Sequence, residues 1–140
     1  SDLAGCINTS VSDMSKFLLL LLGNRPEMLS KSAVDRMTCP TIKTNVSYRY
    51  YKKWPEFQDT YYSYGWRVHQ FDSGGNHYTL KHHGGQVSGF RSELAFDTED
   101  KYAISVLYNC YTPMAKNIIP EIVAAIREHK KSPLSLKESF

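Results

Sequence analysis

A chain of 140 residues with 41% hydrophobic and 22% charged positions can bury one compact core and has ordinary globular composition, which excludes a disordered or fibrous protein. Its net charge of +3 falls short of the dense basic footprint of a dedicated nucleic-acid binder. The longest apolar run, Phe17 to Leu22, is far below the roughly 20 residues that cross a bilayer, so no membrane span is expected.

The chain opens on Ser1, Asp2 and Leu3 without a basic stretch leading into an apolar one, so no secretory leader is read there. The first periodic segment, Ser12 to Leu22, places Met14, Phe17, Leu18, Leu21 and Leu22 at helical spacing. Ser10 or Ser12 can cap this helix, Asp13 suits its positive end, and Gly23 supplies a left-handed stop. Leu19 and Leu20 widen the apolar surface, which predicts a helix buried on more than one side. Leu29, Ala33, Val34 and Met37 mark a second, short helix that must end before Pro40.

From Thr41 to Tyr62 aromatic residues mix with Arg49, Lys52 and Lys53 without a clear period, which reads as a long, ordered aromatic loop. Such residues can also stack on single-stranded nucleic acid, but no RNA-binding or OB-type motif accompanies them, and no nucleic-acid partner is expected. Strand-like runs follow at Tyr64–Phe71, Tyr78–His83, Gly89–Phe96 and Tyr102–Tyr108, separated by a Gly-rich turn at Asp72–Asn76 and a polar one at Asp97–Asp100. A C-terminal helix carries the stripe Ile118, Ile119, Ile122, Val123 and Ile126, with Pro113 suited to its first turn and Pro120 to a kink or restart. Residues 131–140 read as a flexible tail. The expected fold is α+β, an antiparallel meander of three to four strands with flanking helices.

Chemistry concentrates in His82-His83-Gly84-Gly85-Gln86-Val87-Ser88-Gly89-Phe90-Arg91-Ser92, at the end of one expected strand and the start of the next. A Gly pair beside strand residues suggests a bulge or the close approach of another group to the backbone. Freed backbone N–H groups there can bind an oxyanion, and an adjacent histidine can donate to a carboxylate or move a proton. The bland alternative is a glycine-rich hairpin carrying two surface histidines. A metal site would need His77, His82 and His83 to converge, yet neighbouring strand residues point to opposite faces, so no metal is expected. Ser88 is no nucleophile elbow, because Gly85 precedes it by three residues instead of two. Three cysteines, Cys6, Cys39 and Cys110, lack metal-ligand spacing and allow at most one disulfide within the chain.

The segment resembles the third motif of the serine β-lactamase and penicillin-binding superfamily, Lys-Thr-Gly or His-x-Gly followed three residues later by Gly-Phe. His83-Gly84-Gly85 and Gly89-Phe90 keep that spacing. Ala4-Gly5-Cys6-Ile7-Asn8-Thr9-Ser10 through Asp13-Met14-Ser15-Lys16-Phe17 is similar to the start of a family helix. Tyr64-Gly65-Trp66 resembles the family's Tyr-Gly-x-Gly-Trp strand, and Val106-Leu107-Tyr108-Asn109 its last strand. The order is consistent over residues 4–130, and the likeness is strongest to the class C β-lactamase, esterase and D-alanyl-D-alanine peptidase branch.

The resemblance implies a partial β-lactamase/transpeptidase-like fold over residues 1–130 and a hydrolase acting through an acyl-enzyme, with no metal or organic cofactor. His83 would order the substrate carboxylate and support proton transfer. Gln86 would lend its backbone N–H to the oxyanion hole, and Gly84 and Gly85 would line the substrate. Gly84 replaces the threonine often found mid-motif, which removes a hydroxyl contact. The family's Ser-x-x-Lys and Tyr-x-Asn or Ser-x-Asn motifs occur nowhere in the chain, and both normally lie N-terminal to the segment seen here. The reading is therefore a C-terminal portion that is inactive alone, with a non-catalytic interaction module of the same fold as the alternative. In the parent the substrate would be a β-lactam, a D-alanyl or peptidoglycan-like peptide, or an ester, and the resemblance favours a periplasmic or secreted location. In the resembled fold an N-terminal part completes the sheet, so the strand edge or sheet face and the Phe17–Leu22 helix surface it would cover predict a homo-oligomer for the chain alone.

Overall fold

The computed structural model describes residues 7–45 and 49–131. The expected tail, apart from Lys131, and the segment around Cys6 lie outside the described residues. Helix α1 spans Val11–Leu21 and is capped by Ser10, whose Oγ accepts from the Asp13 N–H at 3.1 Å. It closes on Gly23 at φ 89°, with the Gly23 N–H donating to the Leu20 carbonyl and the Asn24 N–H to Leu19. This paired closure is the Schellman arrangement that glycine permits. Helix α2 spans Lys31–Met37, capped by Ser30.

The sheet has six strands in sequential antiparallel order, with β1 at Ile42–Lys43, β2 at Phe57–Tyr62, β3 at Arg67–Ser73, β4 at Asn76–Val87, β5 at Phe90–Asp97 and β6 at Tyr102–Tyr108. The expected α+β meander is present, but three to four strands is too few. The two extra strands, β1 and β2, come from the segment read as loop. A register shift between Phe57 and Asp59 breaks the period-two pattern of β2, so its sequence does not alternate visibly. Tyr64 and Gly65 lie in the β2–β3 turn instead of a strand, with Gly65 at φ 80° and the Ser63 N–H donating to the Trp66 carbonyl.

Each sheet face carries its own core. Against one face pack Tyr51 and Trp54 from a 3-10 turn at Tyr50–Lys53, and Ile119 and Val123 from the C-terminal helix α3, Ile118–Lys131, over Phe71, Leu80, Ala95 and Ile104. The Trp54 Nε1–H donates to the Lys116 carbonyl at 2.7 Å and ties this turn to the approach of α3. Because Tyr51 and Trp54 are buried, they are unavailable as a stacking platform. On the opposite face Leu18, Leu21 and Leu22 of α1 and Val34 of α2 meet Trp66 and Phe96.

Two local expectations change here. Helix α1 is buried on one side only, since Val11, Phe17 and Leu19 remain 48%, 42% and 45% exposed. Pro113 opens a separate 3-10 turn at Pro113–Lys116, and Pro120 sits in the first turn of α3, where a missing N–H costs nothing. No helix among the described residues is long and apolar enough to cross a membrane.

Candidate active site

Strand β4 continues past the point where β3 stops. Arg67, the first residue of β3, pairs with His82, whereas β5 follows β4 to the Val87–Phe90 pair. The stretch His83 to Val87 therefore has a strand neighbour on one side only, among the described residues. Ser88 and Gly89, at φ 43° and 84°, form the two-residue turn that joins β4 to β5. In such a hairpin the flanking pair exchanges hydrogen bonds and the pattern alternates outward. His83, Gly85 and Val87 thus direct their N–H and C=O groups toward β5, while Gly84 and Gln86 direct theirs to the open edge. The Gly74–Gly75 turn between β3 and β4 gives the same parity independently.

Side chains alternate across the same strand. His82 and Gly84 belong to the face covered by the 3-10 turn, and His83 and Gly85 to the α1 face, opposite Leu94 and Ser92. His83 is half-buried, and burial, the Arg67 guanidinium and His82 hold its pKa down to about 4. At neutral pH it is an uncharged imidazole, able to donate or accept a hydrogen bond but carrying no charge.

Beneath Gly84 lies a buried polar cluster. His82 and Glu93 are fully buried, with His82 Nε2 2.8 Å from Glu93 Oε2. The Arg91 Nε–H and Nη2–H donate to Glu93 Oε1 at 2.9 and 2.8 Å, and the Tyr50 hydroxyl donates to both carboxylate oxygens at 3.1 and 3.0 Å. Burial pushes the Glu93 carboxyl up, but hydrogen bonds from His82, Arg91 and Tyr50 bring it below its ordinary value. On the far side His69 Nε2 lies 3.1 Å from His82 Nδ1. Burial depresses both imidazoles, His69 strongly, so both are neutral. The network then assigns the protons: His69 Nε2–H donates to His82 Nδ1, and His82 Nε2–H donates to Glu93. Among the described residues His69 Nδ1 has no hydrogen-bond partner.

This cluster explains the glycine in the middle of the motif. A Cβ at position 84 would stand 2.7 Å from the Tyr50 hydroxyl and 2.8 and 2.9 Å from the Glu93 carboxylate oxygens. The space a threonine would need is filled from below. At Gly85 a Cβ would stand 2.9 Å from Ser92 Oγ, so the pair leaves room for cross-strand side chains without any bulge.

A family model described as Beta-lactamase matches residues 3–126. The chain belongs to the β-lactamase family. No curated protein and no solved structure gave a match in the corresponding searches.

In this β-lactamase family chain, the predicted residues His83, Gly84, Gly85 and Gln86 lie together on β4, within the strand instead of at its end. His82, which the glycine-rich hairpin alternative would put on the surface, is in the core, because its register places it beside Ala95 and beneath Trp54 and Tyr50. His77 lies at the far end of β4, and no group of ligands able to hold a metal occurs among the described residues. Cys39 and Cys110 are exposed free thiols. Sequence reading missed Tyr50, Arg67, His69, Arg91 and Glu93. One signal for Glu93 was present: taking Ser88-Gly89 as a two-residue turn places Glu93 directly opposite Gly84.

Proposed function

We propose that this chain is the C-terminal portion of a serine hydrolase of the β-lactamase family that works through an acyl-enzyme on a β-lactam, a D-alanyl or peptidoglycan-like peptide, or an ester. The observation that carries the reading is the open edge of β4, where Gly84 and Gln86 turn their backbone groups outward beside His83. The Gln86 N–H supplies one oxyanion donor, a contribution of about 2.7–4 kcal/mol to the transition state. His83, held uncharged at neutral pH, takes or returns a proton without first having to lose one. Gly85 keeps the strand narrow for an acyl group lying along it. The attacking serine and its base come from sequence outside this chain, since no credible pair stands within it.

Chromogenic cephalosporin and nitrophenyl ester assays test this. The chain alone is expected to show background rates, and in the longer protein that supplies a Ser-x-x-Lys motif His83→Ala should lower acylation about a hundredfold or more with the fold retained. Turnover by the chain alone that His83→Ala abolishes would overturn the division of labour. An unchanged acylation rate in the longer protein would remove His83 from the site.

We also propose that the chain by itself associates into a homo-oligomer. The open β4 edge and the exposed Val11, Phe17 and Leu19 of α1 are the surfaces that favour it. Sedimentation equilibrium across micromolar concentrations should give masses above 16.0 kDa, and a constant monomer mass refutes it.

A further inference from the structure

From His83 to Val87, β4 is an edge strand: β5 flanks it on one side, and on the other β3 has already ended. A strand held from one side opens more easily than one flanked on both, yet an oxyanion donor on it has to keep its place to within about 0.5 Å. Gly84 and Gly85 have no side chains with which to anchor this stretch. Their backbone is seated instead between oxygens on the two sheet faces. The place of a Cβ on Gly84 lies 2.7 Å from the Tyr50 hydroxyl and 2.8 and 2.9 Å from the Glu93 oxygens, and that on Gly85 lies 2.9 Å from Ser92 Oγ. Glu93 and Ser92 belong to β5 and move with the hairpin. Tyr50 does not. It comes from the 3-10 turn Tyr50–Lys53, which is fixed by the buried rings of Tyr51 and Trp54 and by the bond from Trp54 to the Lys116 carbonyl. From there its hydroxyl donates to both carboxylate oxygens of Glu93, at 3.1 and 3.0 Å.

We propose that Tyr50 is the positioning residue of the acyl-binding edge: its hydroxyl ties the overhanging end of β4 and β5 to the 3-10 turn and so holds the Gln86 N–H where the oxyanion forms. The proposal rests on reading that edge as an acyl-binding strand. The tie supplies the support that β3 gives up at Arg67, and it acts from one face of the sheet, so the edge itself stays open to an acyl group. Glycine at position 84 is a condition of the tie, because a Cβ there would displace the hydroxyl or the carboxylate. The oxyanion contact is made in the transition state, so an edge that drifts slows acylation without weakening substrate binding. A misplacement of about 1 Å can cost on the order of a hundredfold in rate.

Tyr50→Phe tests this, since it removes the hydroxyl, keeps the ring, and leaves Glu93 its bonds with Arg91 and His82. In the chain alone, amide exchange at Gly85 and Val87, whose N–H groups face β5, should quicken about tenfold, as loss of one bond to a charged group allows. Leu80, flanked by β3 and β5, should keep its rate. In the longer protein that supplies a Ser-x-x-Lys motif, the acylation rate constant should fall about tenfold while KM stays within about twofold. Ile104→Val, a core truncation near the β5–β6 turn, should leave that rate constant as it is, which separates a positioning role from a general loss of stability. Unchanged exchange at Gly85 and Val87, an equal quickening at Leu80, an unchanged acylation rate constant, or a rise in KM alone overturns the proposal. A longer protein that acylates nothing with Tyr50 in place defeats the hydrolase reading instead, and the exchange rates then still decide whether Tyr50 ties the edge.

Discussion

Glu93→Ala is expected to destabilise the chain by about 3–5 kcal/mol, a large part of the roughly 5–15 kcal/mol that holds a domain of this size together. The carboxylate is fully buried and satisfies four donors, from Arg91, His82 and Tyr50. Its removal leaves a guanidinium inside the protein with no counter-charge, and the cost is that of the stranded charge more than of any single bond. Glu93→Gln should fall between, because its carbonyl still accepts from Arg91 or Tyr50 while its amide turns a donor toward a donor on His82. Urea unfolding at constant m-value measures both. A loss below about 1 kcal/mol for Glu93→Ala would mean that water solvates the cluster. The same geometry predicts coupling with the motif: Gly84→Ala should cost less in a Glu93→Ala background, where one of its two obstructions is gone, than in the native chain.

Acidification is the second large effect. His69, His82 and His83 all have native pKa values below the ordinary imidazole value, in each case chiefly because burial disfavours the cation. An unfolded chain binds protons at these three residues near pH 6.5, while the folded one does not. The stabilisation is therefore fully present above about pH 6.5 and drains away as the pH falls toward 4, where His83 protonates in the native state. With up to three extra protons bound by the unfolded state, the slope approaches about 4 kcal/mol per pH unit as an upper bound, and solvent screening at half-buried His83 trims its share. Glu93 extends the trend to lower pH, since its depressed carboxyl also favours the unfolded state once protons are abundant. Urea midpoints between pH 7.5 and 4.5 should fall steeply, and His83→Asn should remove about one proton from the slope. Stability that stays flat from pH 7 to 5 would contradict the buried, neutral state of these histidines.

Much of this architecture is written locally. The Ser10 cap, the Gly23 stop, the apolar stripe of α3 and the limits of β6 each depend on residues a few positions apart, where helical spacing and turn chemistry act directly. The motif His83-Gly84-Gly85-Gln86 was equally visible in one line of sequence, and with it the family to which the chain belongs. What the sequence could not assign was what each residue faces. Strand β2 was hidden because a register shift spoils its alternation, and helix α1 looked buried on more than one side because apolarity does not say which side finds a partner. His82 and His83 are adjacent and chemically identical, yet the pleat sends one into the core against Glu93 and the other toward the α1 face. Tyr50, His69 and Arg67 join the site from other elements through pairings that no local pattern encodes. The 3-10 turn carries Tyr50 to Gly84, while strand register sets His69 and Arg67 beside His82 and decides that β3 ends where the open edge of β4 begins.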